Sequence, residues 1–140
     1  MSATTQTAPP VGSAPRSSKA LWAGRILSGL ITALMLLDGV MKLVKPAKVV
    51  EATTELGIPE SAIVGIGIAL LVSTILYAIP ATTGLGAILL TGYLGGAVMT
   101  HVRVQDPAWK VVAPGVFGAL VWLGVVLRDP RLRKIIPIRW

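Results

Sequence analysis

The chain has 140 residues, of which 54% are hydrophobic and 14% charged, with a net charge of +7 and a mean hydropathy of +0.76. A soluble domain carries about a quarter charged residues to cover its surface, so this composition excludes a soluble protein and indicates an integral membrane protein. The absence of cysteine excludes disulfides, thiolate catalysis and iron–sulfur ligation, and one histidine excludes a multi-histidine metal site within the chain.

The N-terminal segment, residues 1–20, consists mainly of Ser, Thr, Ala and Pro. It cannot bury enough apolar surface to offset its chain entropy, so we predict a disordered cytoplasmic tail. The apolar segment 21–44 predicts the first transmembrane helix, although its charge-free part is only twelve residues long. Asp38 and Lys42 stand four residues apart near its end, with the acid first, which favours an ion pair on one helix face.

The segment between the first and second spans contains charges of both signs and three helix-breaking residues, so it predicts a loop with a short surface helix at 49–56. Residues 61–100 carry no charge, and this run is long enough for two passes through a bilayer. Because the linker between the two passes is very short, spans 61–79 and 84–101 are predicted to form an antiparallel hairpin.

The fourth apolar segment, 111–127, precedes a strongly basic tail at 128–140, which we place in the cytoplasm. None of the apolar segments alternates apolar and polar residues, as the strands of a membrane β-barrel do. The predicted fold is therefore all-α, a transmembrane four-helix bundle that covers residues 21–127.

Lysine and arginine outside the spans set the predicted orientation. With four spans both termini lie on one side, which carries eight of these residues against five on the other side. The opposite side also holds five of the six acids. This distribution predicts cytoplasmic termini.

Five polar residues form a candidate cluster at the extracytoplasmic ends of the first and third spans. Asp38 and Lys42 end the first span, while His101 and Arg103 end the third, and the two spans run in the same direction. Tyr93 lies on the same helix face as His101. Ionisable groups at membrane depth are costly and are normally paired, so we expect Asp38 to pair with Lys42 and with His101.

Two interpretations of this cluster follow from its position. In one, it forms a polar pocket that binds the head of a lipophilic ligand or relays a proton through His101. In the other, the charges satisfy one another where the spans leave the bilayer, and they have no ligand. The residues alone favour the second interpretation slightly, because charge near the interface costs less than charge at the membrane centre.

Glycines are frequent in the predicted hairpin. Gly92 and Gly96 have the GxxxG spacing, and Gly95 lies beside it. Small residues allow membrane helices to approach closely, so these three glycines are predicted to pack against another helix, within the chain or between subunits.

Three segments of the chain resemble the DoxX-like family of small four-helix bacterial membrane proteins. They are the hairpin LYAIPATTGLGAILLTGYLGGAVMTHVRVQDP, the DGVMKL end of the first span and the C-terminal WLGVVLRDPRLRKIIP. The resemblance implies a multi-pass protein of the bacterial inner membrane. The family takes its name from a subunit of a thiosulfate:quinone oxidoreductase, which implies a quinone and a partner subunit. Many relatives carry an acid within the second span and a base after its closing proline, where this chain has Leu70 and Ala81.

Three functions are compatible with these features: a quinone-associated accessory subunit of a redox complex, a small oligomeric transporter or proton-coupled carrier, and a structural or assembly protein. The sequence offers no nucleophile–base pair, no paired carboxylates and no metal-ligand set, so we expect no catalysis, metal or cofactor binding by the chain alone beyond a quinone. Expected partners are the lipid bilayer, with anionic headgroups at the C-terminal tail, and a second copy or another membrane subunit. Nucleic acid is not expected.

Overall fold

The structure is a computed structural model that describes residues 18–133, except for the side chains of Pro130 and Arg133. Most of the predicted N-terminal tail and the end of the basic C-terminal tail lie outside these residues. The described residues form six helices and no strand. The helices are α1 (Ser18–Val44), α2 (Ala47–Glu55), α3 (Glu60–Ala78), α4 (Thr83–Arg103), α5 (Ala108–Arg128) and α6 (Pro130–Arg133).

Four of these helices, α1, α3, α4 and α5, are long and apolar enough to cross a membrane. They form a ring in which α1 packs against α3 and α5, and α4 packs against the same two helices. The predicted all-α, transmembrane four-helix bundle is therefore confirmed. The short helix α2 contacts α1 and α3 at one end of the bundle.

Proline residues mark where the helices begin. Pro46, Pro59 and Pro107 immediately precede α2, α3 and α5, in extended conformations with ψ between 144° and 149°. The proline ring fixes φ, which lies between −53° and −65° at these three residues, and it removes the backbone N–H. Proline is therefore well suited to a helix start, because the first N–H groups of a helix have no partner within it. The breakers visible in the sequence thus set the helix boundaries.

The phenol of Tyr77 joins three helices at the end of the bundle formed by the α3–α4 hairpin. Its side chain is fully buried, its hydroxyl donates to the Val121 carbonyl at 3.1 Å, and it shares a hydrogen bond with the Ser28 hydroxyl at 3.1 Å. Tyr77 thereby connects α3 to α1 and α5.

Arg128 closes the same end of the bundle. Its guanidinium lies 4.7 Å from the centre of the Tyr77 ring, and Nη2 donates to the Tyr77 carbonyl and to the Thr83 hydroxyl at 3.0 Å. The Thr83 hydroxyl in turn donates to the Ile79 carbonyl at 2.9 Å. A cation at the C-terminus of α3 also interacts favourably with the helix dipole. We call Ser28, Tyr77, Thr83, Val121 and Arg128 the Tyr77 network.

The glycines that pack helices together are not those predicted from the GxxxG spacing. A Cβ atom at Gly92, Gly95 or Gly96 would meet no atom within 4 Å, so the prediction that they pack helices is wrong within the chain. All three positions are exposed on α4, whereas Leu90 and Leu94 of the same helix are buried. The close contacts occur instead at other glycines, where a Cβ would collide with a neighbouring helix: Gly24, Gly39, Gly67, Gly86 and Gly124.

Gly86 and Gly92 make a matched test of this packing. A Cβ at Gly86 would overlap the backbone of Tyr77, so Gly86→Ala should destabilise the bundle by about 1–3 kcal/mol, as overpacking does. Gly92→Ala should be neutral or stabilise the helix by up to about 1 kcal/mol, because no neighbour is displaced. Unfolding in mixed micelles measures both, and equal effects of the two substitutions would contradict the packing described.

Candidate functional site

A cavity of about 990 Å³ lies at the end of the bundle opposite the Tyr77 network. It forms where α1 and α4 end and where α3 and α5 begin, and α2 contributes to its wall. Its deeper part is lined by apolar side chains that include Met35, Ile66, Leu94 and Phe117. Its polar side chains are Asp38, Lys42, Lys48, Thr53, Glu55, Tyr93, Thr100, His101, Asp106 and Lys110. We call this space the polar cavity.

Asp38 and Lys42 form the first ion pair of the polar cavity. Lys42 Nζ donates to Asp38 Oδ1 at 2.5 Å, across one turn of α1. The lysine side chain is only 14% exposed, whereas the aspartate side chain is 47% exposed. The pairing predicted from the four-residue spacing is present, and it leaves Lys42 with two further N–H groups for a ligand.

The sequence predicted that His101 pairs with Asp38, but in the structure His101 pairs with Asp106. Nδ1 of His101 lies 2.7 Å from Asp106 Oδ2, and Lys110 Nζ donates to the other carboxylate oxygen at 3.2 Å. The Asp106 backbone N–H donates to the His101 carbonyl at 3.1 Å, which closes the turn between α4 and α5. The turn thus brings an acid from five residues away to the imidazole, and a partner on another helix is not needed.

Asp106 is the acceptor at the centre of this cluster. The hydrogen bond from His101 is the main cause that lowers the pKa of the Asp106 carboxyl; partial burial opposes it and Lys110 adds to it. An ionised carboxylate only accepts hydrogen bonds, so Nδ1 of His101 carries the proton that it shares with Asp106. In a neutral imidazole Nε2 is then an acceptor, and it bonds to no described residue.

Arg103 is not part of the polar cavity. Its exposed guanidinium donates from Nη2 to the Leu56 carbonyl at 2.7 Å. Gly57 follows with a φ of 72°, and a Cβ there would lie 2.8 Å from Nη2. Arg103 therefore ties the end of α4 to the turn between α2 and α3, and it holds α2 against the cavity. Arg103 lies at the end of α4, as the sequence predicted, but its described hydrogen bond is to the turn and not to another residue of the predicted cluster.

Tyr93 lies on the wall of the polar cavity, and its hydroxyl makes no hydrogen bond to a described residue. Gly92 and Gly96 line the same wall, where their lack of side chains widens the cavity. The Thr100 hydroxyl donates to the Gly96 carbonyl at 2.8 Å and is thereby satisfied within α4. The phenol hydroxyl is therefore a hydrogen-bonding group on the cavity wall that no described residue uses.

Sequence reasoning missed several residues of the site. Asp106 and Lys110 have the four-residue spacing that identified Asp38 and Lys42, so the same signal was present. Lys48 and Glu55 reach the cavity only because α2 folds back over it, which no local pattern encodes. Within residues 18–133 no three His, Cys, Asp or Glu side chains are grouped as metal ligands.

The Asp106 cluster predicts a pH dependence of stability. Because its folded pKa is lowered, ionised Asp106 stabilises the fold above the ordinary carboxyl pKa of about 4, and this contribution is lost as the pH falls through the lowered pKa. Asp106→Asn should therefore flatten the fall of Tm below about pH 4. Glu51→Gln, at an exposed acid of α2, is the control and should follow the wild type. If Tm fell in parallel with decreasing pH for Asp106→Asn and the wild type, the stabilising role of ionised Asp106 would be contradicted.

The sequence model of the DoxX-like family matches residues 26–124. No curated protein and no solved structure showed significant similarity to the chain. The matched segment includes the polar cavity and every member of the Tyr77 network except Arg128. With its four membrane-crossing helices, the chain belongs to the DoxX-like family and is a multi-pass membrane protein.

Proposed function

We propose that this protein is an accessory subunit of a membrane redox complex and that its polar cavity binds a quinone. The observation that carries the proposal is the polar cavity itself, which is about 990 Å³ in volume and lined by residues of all four spanning helices. Sites for small molecules are typically concavities of about 300–1,000 Å³ with mostly apolar walls and a few polar groups. A cavity of this kind inside a bilayer is accessible to lipophilic molecules.

The residues of the cavity fit a quinone. Lys42 on α1 and Tyr93 on α4 approach from helices that lie diagonally across the bundle. Each has an N–H or O–H that no described residue uses, so the two could donate to the carbonyl oxygens at opposite edges of a quinone ring. Met35, Leu94 and Phe117 supply the apolar surface that the ring and its tail require.

The His101–Asp106 pair gives the cavity a group that can hold a proton. Asp106 lies 2.7 Å from Nδ1 of His101 and orients the imidazole, whose Nε2 has no partner among the described residues. A bound quinone would supply electron and proton transfer with the membrane pool. His101 and Tyr93 lie two turns apart on α4, so polar contacts are offered at two depths.

A partner subunit follows from the same proposal. The chain has no cysteine and a single histidine, so electrons for a bound quinone would come from another protein. The family resemblance, through the oxidoreductase subunit that gave the family its name, supports such a partner. The exposed apolar surface, which includes Trp22, Leu30 and Leu37 on α1, is available to lipid, to a second copy or to this subunit.

The location proposed is the bacterial inner membrane, with both termini in the cytoplasm. The excess of lysine and arginine on the side of the termini, eight against five, supports this orientation. The polar cavity would then open toward the extracytoplasmic side, and the basic C-terminal tail would contact anionic lipid headgroups.

Ligand binding is better supported than transport. A carrier must expose its site to both sides of the membrane in turn. The path from the polar cavity to the opposite side is blocked by Ser28, Tyr77 and Val121, which are buried and hydrogen-bonded to one another. A transport cycle through one chain would have to break this network.

The proposal predicts that partly filling the cavity weakens quinone binding. Ala113 lines the polar cavity on α5, whereas Ala119 is exposed on the same helix outside it. Ala113→Phe should weaken binding of a short-tailed ubiquinone analogue about tenfold or more, since the added ring occupies the binding volume. Ala119→Phe should bind as the wild type does.

Binding is measured as saturable quenching of tryptophan fluorescence in lipid nanodiscs, because Trp109 lies on the cavity wall. A wild type without saturable binding, or equal affinities of the two variants, would contradict the proposal. In that case a structural or assembly role, in which the cavity holds only bilayer lipid, would explain the fold better.

A further inference from the structure

A second, shallower cavity lies on the outer surface of the bundle, at the end that holds the Tyr77 network. Its volume is about 350 Å³, and it is lined by α1, by Ala78 at the end of α3 and by Arg128 at the end of α5. The lining residues from α1 are Arg25, Ser28, Gly29, Thr32, Ala33 and Leu36. We call it the arginine groove. It is separate from the polar cavity and plays no part in the proposed quinone site.

The packing of α1 against α5 brings the two arginines of the groove together. A Cβ at Gly24 would lie 2.7 Å from the Leu127 Cβ and 3.0 Å from the Arg128 nitrogen, so the two helices nearly touch there. Arg25 is the next residue of α1 and is exposed. Arg128 is held in place by its bonds to the Tyr77 carbonyl and the Thr83 hydroxyl.

The charged residues that line the arginine groove are all positive. Two guanidiniums line it and no acidic residue does, and neither arginine forms a salt bridge with a described acid. The bonds of Arg128 to the described residues use only Nη2, so none of these residues uses its other N–H groups. A guanidinium presents its donors in a fixed fork that matches the oxygens of a phosphate.

Below the arginines the groove is floored by small residues. Gly29 and Ala33 are one turn apart on α1, and both are exposed, as is Ala78 on the facing helix. Leu36 ends the groove, eleven residues from Arg25, which corresponds to about 16 Å along the helix. The groove thus runs from the charged helix ends into the membrane-crossing part of α1.

From this arrangement we propose that the arginine groove binds one anionic phospholipid of the surrounding bilayer. Its phosphate contacts Arg25 and Arg128, the Thr32 hydroxyl lies beside its polar part, and one acyl chain follows Gly29 and Ala33. Because Arg128 also holds Tyr77, the lipid phosphate adds to the interactions that stabilise the closed end of the bundle.

Native mass spectrometry of the protein in mixed micelles with phosphatidylglycerol or phosphatidylcholine tests the proposal. The wild type should retain one phosphatidylglycerol in preference to phosphatidylcholine. Arg25→Gln should lower its apparent affinity about tenfold, as loss of a charge-assisted hydrogen bond does. Lys19→Gln removes the same charge from an exposed position of α1 outside the groove, and it should change the affinity less than about twofold. Equal losses in the two variants would overturn the proposal, since they would indicate unspecific attraction.

A second pair of variants tests the groove with its charges intact. Gly29 and Gly115 are both exposed, and a Cβ at either would meet no atom within 4 Å, but only Gly29 lies in the groove. Gly29→Leu should displace the retained phosphatidylglycerol, and Gly115→Leu should not. Unchanged retention in Gly29→Leu would also overturn the proposal. Thermal unfolding of each variant without added lipid confirms that the fold is kept.

Discussion

The hydrogen bonds of the buried Tyr77 phenol are the interaction on which this bundle depends. Apolar side chains gain little by meeting other apolar side chains inside a bilayer, since lipid tails are equally apolar. Helices are held instead by close packing and by polar contacts between them. Tyr77 provides both: its hydroxyl bonds to Ser28 and Val121, and its backbone lies directly against Gly86.

The short link between α3 and α4 makes this arrangement possible. Pro80 ends α3 and has no N–H to donate, so carbonyls in the last turn of the helix need other partners. The Thr82 hydroxyl donates to the Leu76 carbonyl at 2.8 Å, the Thr83 hydroxyl donates to the Ile79 carbonyl at 2.9 Å, and Arg128 donates to the Tyr77 carbonyl. One residue of the four-residue link, the first residue of α4 and the last residue of α5 thereby satisfy carbonyls at the end of α3.

Tight packing at one end accompanies the cavity at the other. A Cβ atom at Gly92 or Gly96, nearer the C-terminus of α4, would have no neighbour within 4 Å, whereas a Cβ at Gly86 would overlap the Tyr77 backbone. Polar side chains near the ends of α1 and α4, such as Lys42 and His101, therefore line the cavity and pair with acids close to them in sequence. Asp38 and Asp106 each pair with a base on their own segment, so the cavity gains polar groups without an unpaired buried acid.

Sequence patterns predicted the features that depend on local spacing. The four spans follow from the length of the apolar runs, and the Asp38–Lys42 pair follows from its one-turn separation. The partner of His101 depends on a turn beyond the end of α4, and that of Arg103 on a carbonyl 47 residues away, so neither could be found from helix periodicity. Likewise, a GxxxG spacing indicates which glycines share a face but not whether another helix lies opposite.

The role of Tyr77 was equally hidden in the sequence. Within an apolar run, one tyrosine looks the same whether its hydroxyl bonds to its own helix or joins several helices. Tyr93, which sequence reasoning selected, lies instead in the cavity with a free hydroxyl. Distinguishing the two required the positions of Ser28, Val121 and Arg128, which come from other helices.

We propose that the polar cavity holds a quinone in the native membrane. The most direct test is native mass analysis of the protein extracted gently from its own membranes, which records bound lipophiles and bound proteins together. The account predicts one retained quinone per chain and a redox partner that carries the electron-transfer group. A protein that retains only phospholipid and forms only homo-oligomers would contradict it.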